Sequence, residues 1–339
     1  MKIGIITLAL LDNYGGILQN YALQQVLKKM GHEPCTIDYV PLTNFYREFP
    51  RVFGSWLKTI YLRVFKGVRR PFAKFLQPKK RPELFNNFVS KNIQITEQLT
   101  KYTQDILEKG KYDTIIVGSD QVWRSKYSMC IEDYYLNFAR DYSSKKIAYA
   151  SSFGVDEWEY SNKQTLFFAY LAKKFDSISV RENSGVLLCK EHLGVDASWV
   201  LDPTLLLKKS DYLKICEDVP QSHENYLAAY ILDETDGVRE IYKKIAKEEN
   251  LTIKFFAADF RASLSVEEWL AMFRDAAYIV TDSFHGTVFS IIFEKKFKCL
   301  FNEERGSARF KSLLSMYNSR KLDEMRQFSL NWLKNALES

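Results

Sequence analysis

Short apolar runs alternate with stretches of helical periodicity along most of this chain, the pattern of βαβ units around a parallel sheet. Lys2–Thr7 reads as a first strand. It turns at Asp12-Asn13-Tyr14-Gly15-Gly16 into a helix with apolar Leu18, Ala22, Val26 and Leu27, which Gly31 closes before a second strand at Cys35–Tyr39. Further strands are predicted at Thr114–Gly118, Lys146–Ser151, Ser177–Val180 and Trp199–Leu201; Pro203 ends the series, and Leu205–Asp211 leads out of it. After the polar stretch Glu217–Asn225 a second series begins. Its predicted strands are Tyr226–Leu232, Thr252–Ala257, Tyr278–Thr281 and Phe297–Phe301, with helices at Gly237–Glu249, Val266–Arg274 and Thr287–Glu294. The pattern predicts an α/β protein of two doubly wound, Rossmann-like domains facing a cleft. Residues 1–212 form the first domain and 222–318 the second, while 319–339, with a helix over Ser329–Leu337, packs back on the first.

Composition agrees with this and narrows the class. The 339 residues are too many for one ordinary core, and 46% hydrophobic content is ample for burial. Cys35, Cys130, Cys189, Cys216 and Cys299 are odd in number and lack C-x-x-C spacing, which suits buried thiols in a reducing compartment better than disulfides or zinc. Ile3–Leu11 after Lys2 has the outline of a short signal peptide, but Asp12 and Asn13 follow at once, so a buried strand is expected. No apolar run approaches the ~20 residues of a membrane span. A cytoplasmic protein, at most peripheral at the inner face of the membrane, is expected.

Charge changes the picture in one place. Of 48 Lys/Arg and 42 Asp/Glu, eleven and one fall between Arg47 and Arg81, leaving the rest of the chain at a net −4. A general affinity for nucleic acid is therefore not expected. Phe45–Arg81 interleaves its charges with Phe49, Phe53, Trp56, Phe65, Phe72 and Phe75, the composition of a helix in an anionic membrane interface or of an amphipathic insertion packed on its own domain.

In open α/β sheets ligands sit beyond the carboxyl ends of strands, which singles out four segments. In Asp12–Gly16, two glycines before a helix suit either a tight turn of positive φ or close approach to a substrate anion. In Val117–Trp123, Asp120 is either a helix N-cap or a site carboxylate, and Trp123 is a candidate platform for a sugar ring. In Ser179–Glu182, Arg181 follows a buried strand, where an unpaired charge is costly, so either a carboxylate or a bound anion must meet it. In Ala277–Thr287, the strand ends in Thr281-Asp282, a turn carries Ser283 and His285, and Gly286 relieves crowding before the helix. No G-x-S-x-G supports a hydrolase reading of that segment. Four histidines without paired spacing make a metal site unsupported.

Taken together these segments resemble the polysaccharide pyruvyl transferase family. The resemblance runs through Asn13–Gly16 with Gln19–Leu23, Val117–Trp123, Lys145–Gly154, Val180–Glu182, Leu201–Leu206 and Thr281–Thr287, with a weaker element at Arg309 and Leu313-Leu314. It implies a fold similar to the glycosyltransferase B type. It also implies an activity in which the enolpyruvyl unit of phosphoenolpyruvate is moved to a sugar of a cell-surface glycan or its lipid-linked precursor, as a cyclic ketal. The donor is a substrate, and no cofactor is implied. The family's arginine–histidine pair carries over to Arg181 and His285, with His285 expected to protonate the donor methylene and Arg181 to hold its phosphate or carboxylate. Ser283, Gly286, Thr287 and Arg309 complete the expected donor side. Asp12, Asn13, Tyr14, Gly15, Gly16, Asp120 and Trp123 are expected on the acceptor side, Asp12 and Asp120 being the candidate bases. A nucleotide-sugar glycosyltransferase of similar architecture and a non-catalytic glycan-binding module are the alternatives.

Overall fold

A computed structural model describes residues 1–42, 78–127, 130–257, 264–301, 306–316 and 319–339. The basic aromatic segment lies outside the described residues except for its last four. Of these, Arg81 is not on the surface: its guanidinium is buried against Asp38 at 2.6 Å and also donates to the carbonyl of Leu10.

The first sheet is wholly parallel, in the order β2-β1-β3-β4-β5-β6. Its strands are β1 (Lys2–Ile6), β2 (Glu33–Thr36), β3 (Thr114–Val117), β4 (Lys145–Ser151), β5 (Ser177–Val180) and β6 (Ser198–Trp199). Every residue of β3 is buried, as expected of a central strand with helices on both faces. The helices along this part of the chain are α1 (Tyr14–Lys29), α2 (Glu83–Asn92), α3 (Gln104–Gly110), α4 (Asn162–Ala172), α5 (Asn183–Leu188) and α6 (Lys209–Ile215). The second sheet, also parallel, runs β10-β9-β7-β8, from β7 (Tyr226–Ile231), β8 (Thr252–Ala257), β9 (Tyr278–Thr281) and β10 (Lys296–Cys299). Around it lie α7 (Asp236–Glu248), α8 (Val266–Asp275) and α9 (Phe284–Ile292).

Strand order reverses direction between β1 and β3 in the first sheet and between β7 and β9 in the second. At such a switch point the connecting loops part to opposite faces and leave a crevice. The two crevices open toward each other. Behind them one apolar cluster runs through both domains. Tyr14 of α1 stacks on Trp269 of α8 at 5.2 Å between centroids and donates its hydroxyl to the Leu264 carbonyl at 2.7 Å.

After β10 the chain returns to the first domain, and does so before residue 319. Gly306 (φ 89°) lies so close to Gly154 that a Cβ added there would stand 1.9 Å from the Gly154 carbonyl oxygen. Within α10 (Ala308–Ser315), Ser312 Oγ accepts from the Asn183 amide at 3.0 Å. The last helix, α11 (Ser319–Glu338), is longer than its sequence pattern predicts. Ser329 Oγ accepts from the Leu201 amide at 2.9 Å, and Lys145 donates to the Leu337 carbonyl at 2.8 Å. No helix among the described residues is long and apolar enough to cross a membrane.

Candidate active site

The cleft between the switch points encloses about 480 Å³, within the ~300–1,000 Å³ range usual for small-molecule sites. From the first domain it is lined by Leu8, Asp12, Asn13, Asp120, Gln121 and Tyr127. Tyr230, Leu232, Asp282, Ser283, Phe284 and His285 face them from the second, and Arg309 comes from the returning segment.

Two helix starts meet there. Asn13 caps α1, its side-chain oxygen accepting from the Gly16 amide at 3.1 Å. Ser283 caps α9 in the same way, Oγ accepting from the Gly286 amide at 3.3 Å. The other polar groups of the Thr281–His285 segment are committed to building this start. Thr281 Oγ1 accepts from the Ser283 amide at 3.1 Å. The Asp282 carboxylate accepts from the amides of Leu232 and Asp233 at 2.7 and 3.0 Å, tying the tips of β9 and β7 together. That leaves the imidazole of His285 on the second position of α9. It reaches into space where α1 has no side chain: a Cβ on Gly15 would lie 2.0 Å from His285 Nδ1.

Behind the imidazole lies a buried charge network centred on Asp202. Its Oδ2 accepts from Arg181 Nη1 at 2.8 Å and from Ser119 Oγ at 2.9 Å, and stands 3.7 Å from His285 Nε2. Its Oδ1 accepts from the amide and hydroxyl of Thr204. Burial by itself would push this carboxyl upward. His285, Arg181 and Thr204 outweigh burial and hold it well below the ordinary carboxylate range, so Asp202 is ionised. Arg181 also lies 3.7 Å from Asp120 Oδ1, and its guanidinium sits 4.5 Å from the centre of the Phe284 ring. Arg309 rests against the same ring at 5.3 Å. Burial, together with repulsion from Arg181, pushes its pKa down to about 10. Such a cation gains from any anion brought beside it. Asp120 Oδ2 and His285 Nε2 are buried at the site without a hydrogen-bond partner among the described residues. Among the described residues no group of three His, Cys, Asp or Glu is placed to hold a metal ion.

The model of the family described as polysaccharide pyruvyl transferase matches residues 13–300, most of the chain and every residue of the cleft except Leu8, Asp12 and Arg309. The chain belongs to the polysaccharide pyruvyl transferase family. No curated protein matches it. Among solved structures it is similar to the UDP-GlcNAc 2-epimerase of Neisseria meningitidis bound to UDP-GlcNAc, at 11% identity and a TM-score of 0.52, with 100% of each chain covered. It is also similar to S. aureus MnaA with UDP, at 11% identity and 0.51, with 96% of this chain and 90% of that one covered. At such identity the likeness is one of fold, the two-domain arrangement of the glycosyltransferase B type.

The sequence-predicted residues divide into those that reach the cleft and those that do not. Asp12, Asn13, Asp120, Ser283, His285 and Arg309 line it. Trp123 does not. It is buried on Tyr135 at 5.0 Å with Nε1 donating to the Tyr134 carbonyl, so it offers no platform to a sugar. Tyr14 serves the domain interface. Gly15 and Gly16 lie within the first turn of α1 and neither has positive φ, so the tight-turn reading fails; what Gly15 supplies is room for His285. Asp120 caps no helix: it has φ 90°, is followed by turns, and points its carboxylate at Arg181 and the cleft. Gly286 packs against Thr281 and Tyr230, and Thr287 is interior, its hydroxyl donating to the Ser283 carbonyl. Arg181 is behind the cleft wall, paired with Asp202. His285 lies inside α9 and not in a turn before it, because Ser283 caps the helix three residues earlier than the apolar pattern begins.

Sequence reasoning missed Asp202, Phe284, Gln121 and Tyr127. Asp202 follows the last strand of its series directly, so the post-strand rule applied to Arg181 would have selected it. Tyr127 lies four residues beyond Trp123 in the same loop, and nothing in the sequence says which of the two aromatics turns outward.

Proposed function

We propose that this protein moves the enolpyruvyl unit of phosphoenolpyruvate onto a sugar of a cell-surface polysaccharide or its lipid-linked precursor, forming a cyclic ketal and releasing phosphate. The observation that carries this reading is the imidazole of His285. It is held at a helix start in the cleft, with ionised Asp202 behind it and Arg309 lining the same cleft. Phosphoenolpyruvate needs a proton delivered to its methylene carbon and a place for its phosphate and carboxylate. His285 would give that proton, turning the methylene into a methyl group and leaving an oxocarbenium-like centre at C2. One sugar hydroxyl attacks C2, the C2–O bond to phosphate breaks, and a second hydroxyl closes the ketal. One hydroxyl proton restores His285 and the other leaves with phosphate. Asp120, with an unpartnered oxygen, and Asp12 are the bases available across the cleft. Arg309 and the amides opening α9 would take the donor anion. Arg181 then acts through Asp202, holding the carboxylate that orients the imidazole and not touching the donor.

Incubation with phosphoenolpyruvate and synthetic or lipid-linked galactosides in deuterated water tests this by mass spectrometry. The product should carry one pyruvyl group with one deuterium in its methyl. His285→Ala should lose turnover by ~10²–10⁴-fold with its melting temperature kept. A folded His285→Ala protein of normal turnover would overturn the role. A melting shift with a UDP-sugar and none with phosphoenolpyruvate would overturn the donor.

A further inference from the structure

From Leu166 to Ala172 helix α4 is apolar on all sides yet buried on only one. Phe168, Leu171 and Ala172 face the core of the first domain, whereas Leu166, Phe167 and Tyr170 are 75%, 39% and 51% exposed. An all-round apolar helix belongs inside a protein or against something else. The exposed residues fall at the i, i+1 and i+4 spacing of one face. Lys163 precedes them by three residues and Lys174 follows by four, its ammonium over the Tyr170 ring at 5.2 Å. From Ser161 to Phe175 there are three lysines and no Asp or Glu. The acids nearest in sequence, Glu159 and Asp176, are turned to other tasks. Asp176 accepts from the Lys146 amide at 2.7 Å, and Glu159 accepts from Ser125 Oγ at 3.1 Å and pairs with Arg124 at 3.8 Å.

From this we infer that the outer face of α4 docks on an anionic lipid surface, its three apolar side chains entering the interface and Lys163, Lys173 and Lys174 meeting the headgroups. The charge pattern decides between this and a second copy of the chain, because pairing α4 with itself would set lysine against lysine across a desolvated contact. A lipid surface supplies both the apolar layer and the opposite charge. The segment leading into α4 is tied to the cleft wall: Arg124, which Glu159 holds just before α4, stacks at 4.9 Å on Tyr127.

Sedimentation of the full chain with vesicles tests the inference, using phosphatidylglycerol mixed with phosphatidylcholine and phosphatidylcholine alone. The wild type should bind the anionic vesicles and release at high salt. The double variant L166E/F167E, altered only at exposed positions, should bind about tenfold or more weakly with an unchanged melting temperature. Equal binding by the variant, or no binding by the wild type, would overturn the assignment. A concentration-dependent dimer lost in the variant would overturn it in favour of a second copy.

Discussion

The two helix starts in the cleft are built alike and used in opposite ways. Each follows a strand at a switch point, and each is capped by a polar side chain bonded to the amide three residues on. At the second helical position α1 has Gly15 and α9 has His285, and the empty place on the first receives the imidazole of the second. One N-terminus thus works by lacking a side chain and the other by carrying one. The cap residues, Asn13 and Ser283, are necessary to both without distinguishing them. Chemistry at such a site follows from what opposes a helix start across the cleft.

The comparison is broken most severely from behind. Asp202 backs His285. Asp202→Asn strands the buried Arg181 and should cost about 3–5 kcal/mol in a urea titration. The pH dependence has a definite sign. The Asp202 carboxyl is depressed in the folded state, so its stabilisation is complete above its ordinary value of 3.8 and drains away as pH falls below it. The variant should lose that part of the acid limb, and an unaltered acid limb would show that Asp202 is not the linked group.

Filling the empty place comes next. Gly15→Ala brings a methyl into the imidazole and should lower turnover by ~10²-fold, as misplacement of about an ångström does, with the melting temperature little changed. Gly16→Ala, whose Cβ would lie no nearer than 3.3 Å to its neighbours, should stay within a few-fold of wild type. Equal losses at both positions would remove the distinction between them.

Arg309 sharpens the contrast on the α9 side. In Arg309→Met the melting shift given by phosphoenolpyruvate should vanish, corresponding to donor binding about tenfold or more weaker. A full shift in the variant would transfer anion binding elsewhere. The smallest effect is expected outside the cleft. Trp123→Phe should cost roughly 1–2 kcal/mol of stability while leaving the KM for acceptor unchanged.

Most of the fold was legible along the chain. β5, β8 and β9 fall on their predicted residues, and α7 and α8 lie within one residue at either end, because short apolar runs and period-3.6 burial are local properties of the sequence. His285 and Asp120 were legible as site candidates because polar residues just beyond strands are exposed to the crevice by the topology itself, whereas Arg309, well beyond β10, was a candidate only through the family resemblance. The errors share a different cause. Trp123 and Tyr127 belong to one loop with no local rule for which way each faces. Gly15 has the sequence context of a turn and the function of a vacancy. Arg181 was selected correctly as a buried charge needing a partner, but that partner lies 21 residues away in sequence.

The amino-acid order alone therefore settled the class of fold, its two sheets and the family, since these follow from spacings a chain carries wherever it goes. The matching of Gly15 to His285 was decided only when the two domains packed, and the commitment of Arg181 to Asp202 and the burial of Trp123 only when distant segments of the first domain came together. Each depends on which atoms from distant segments compete for the same few ångströms, and a periodicity holds no record of that.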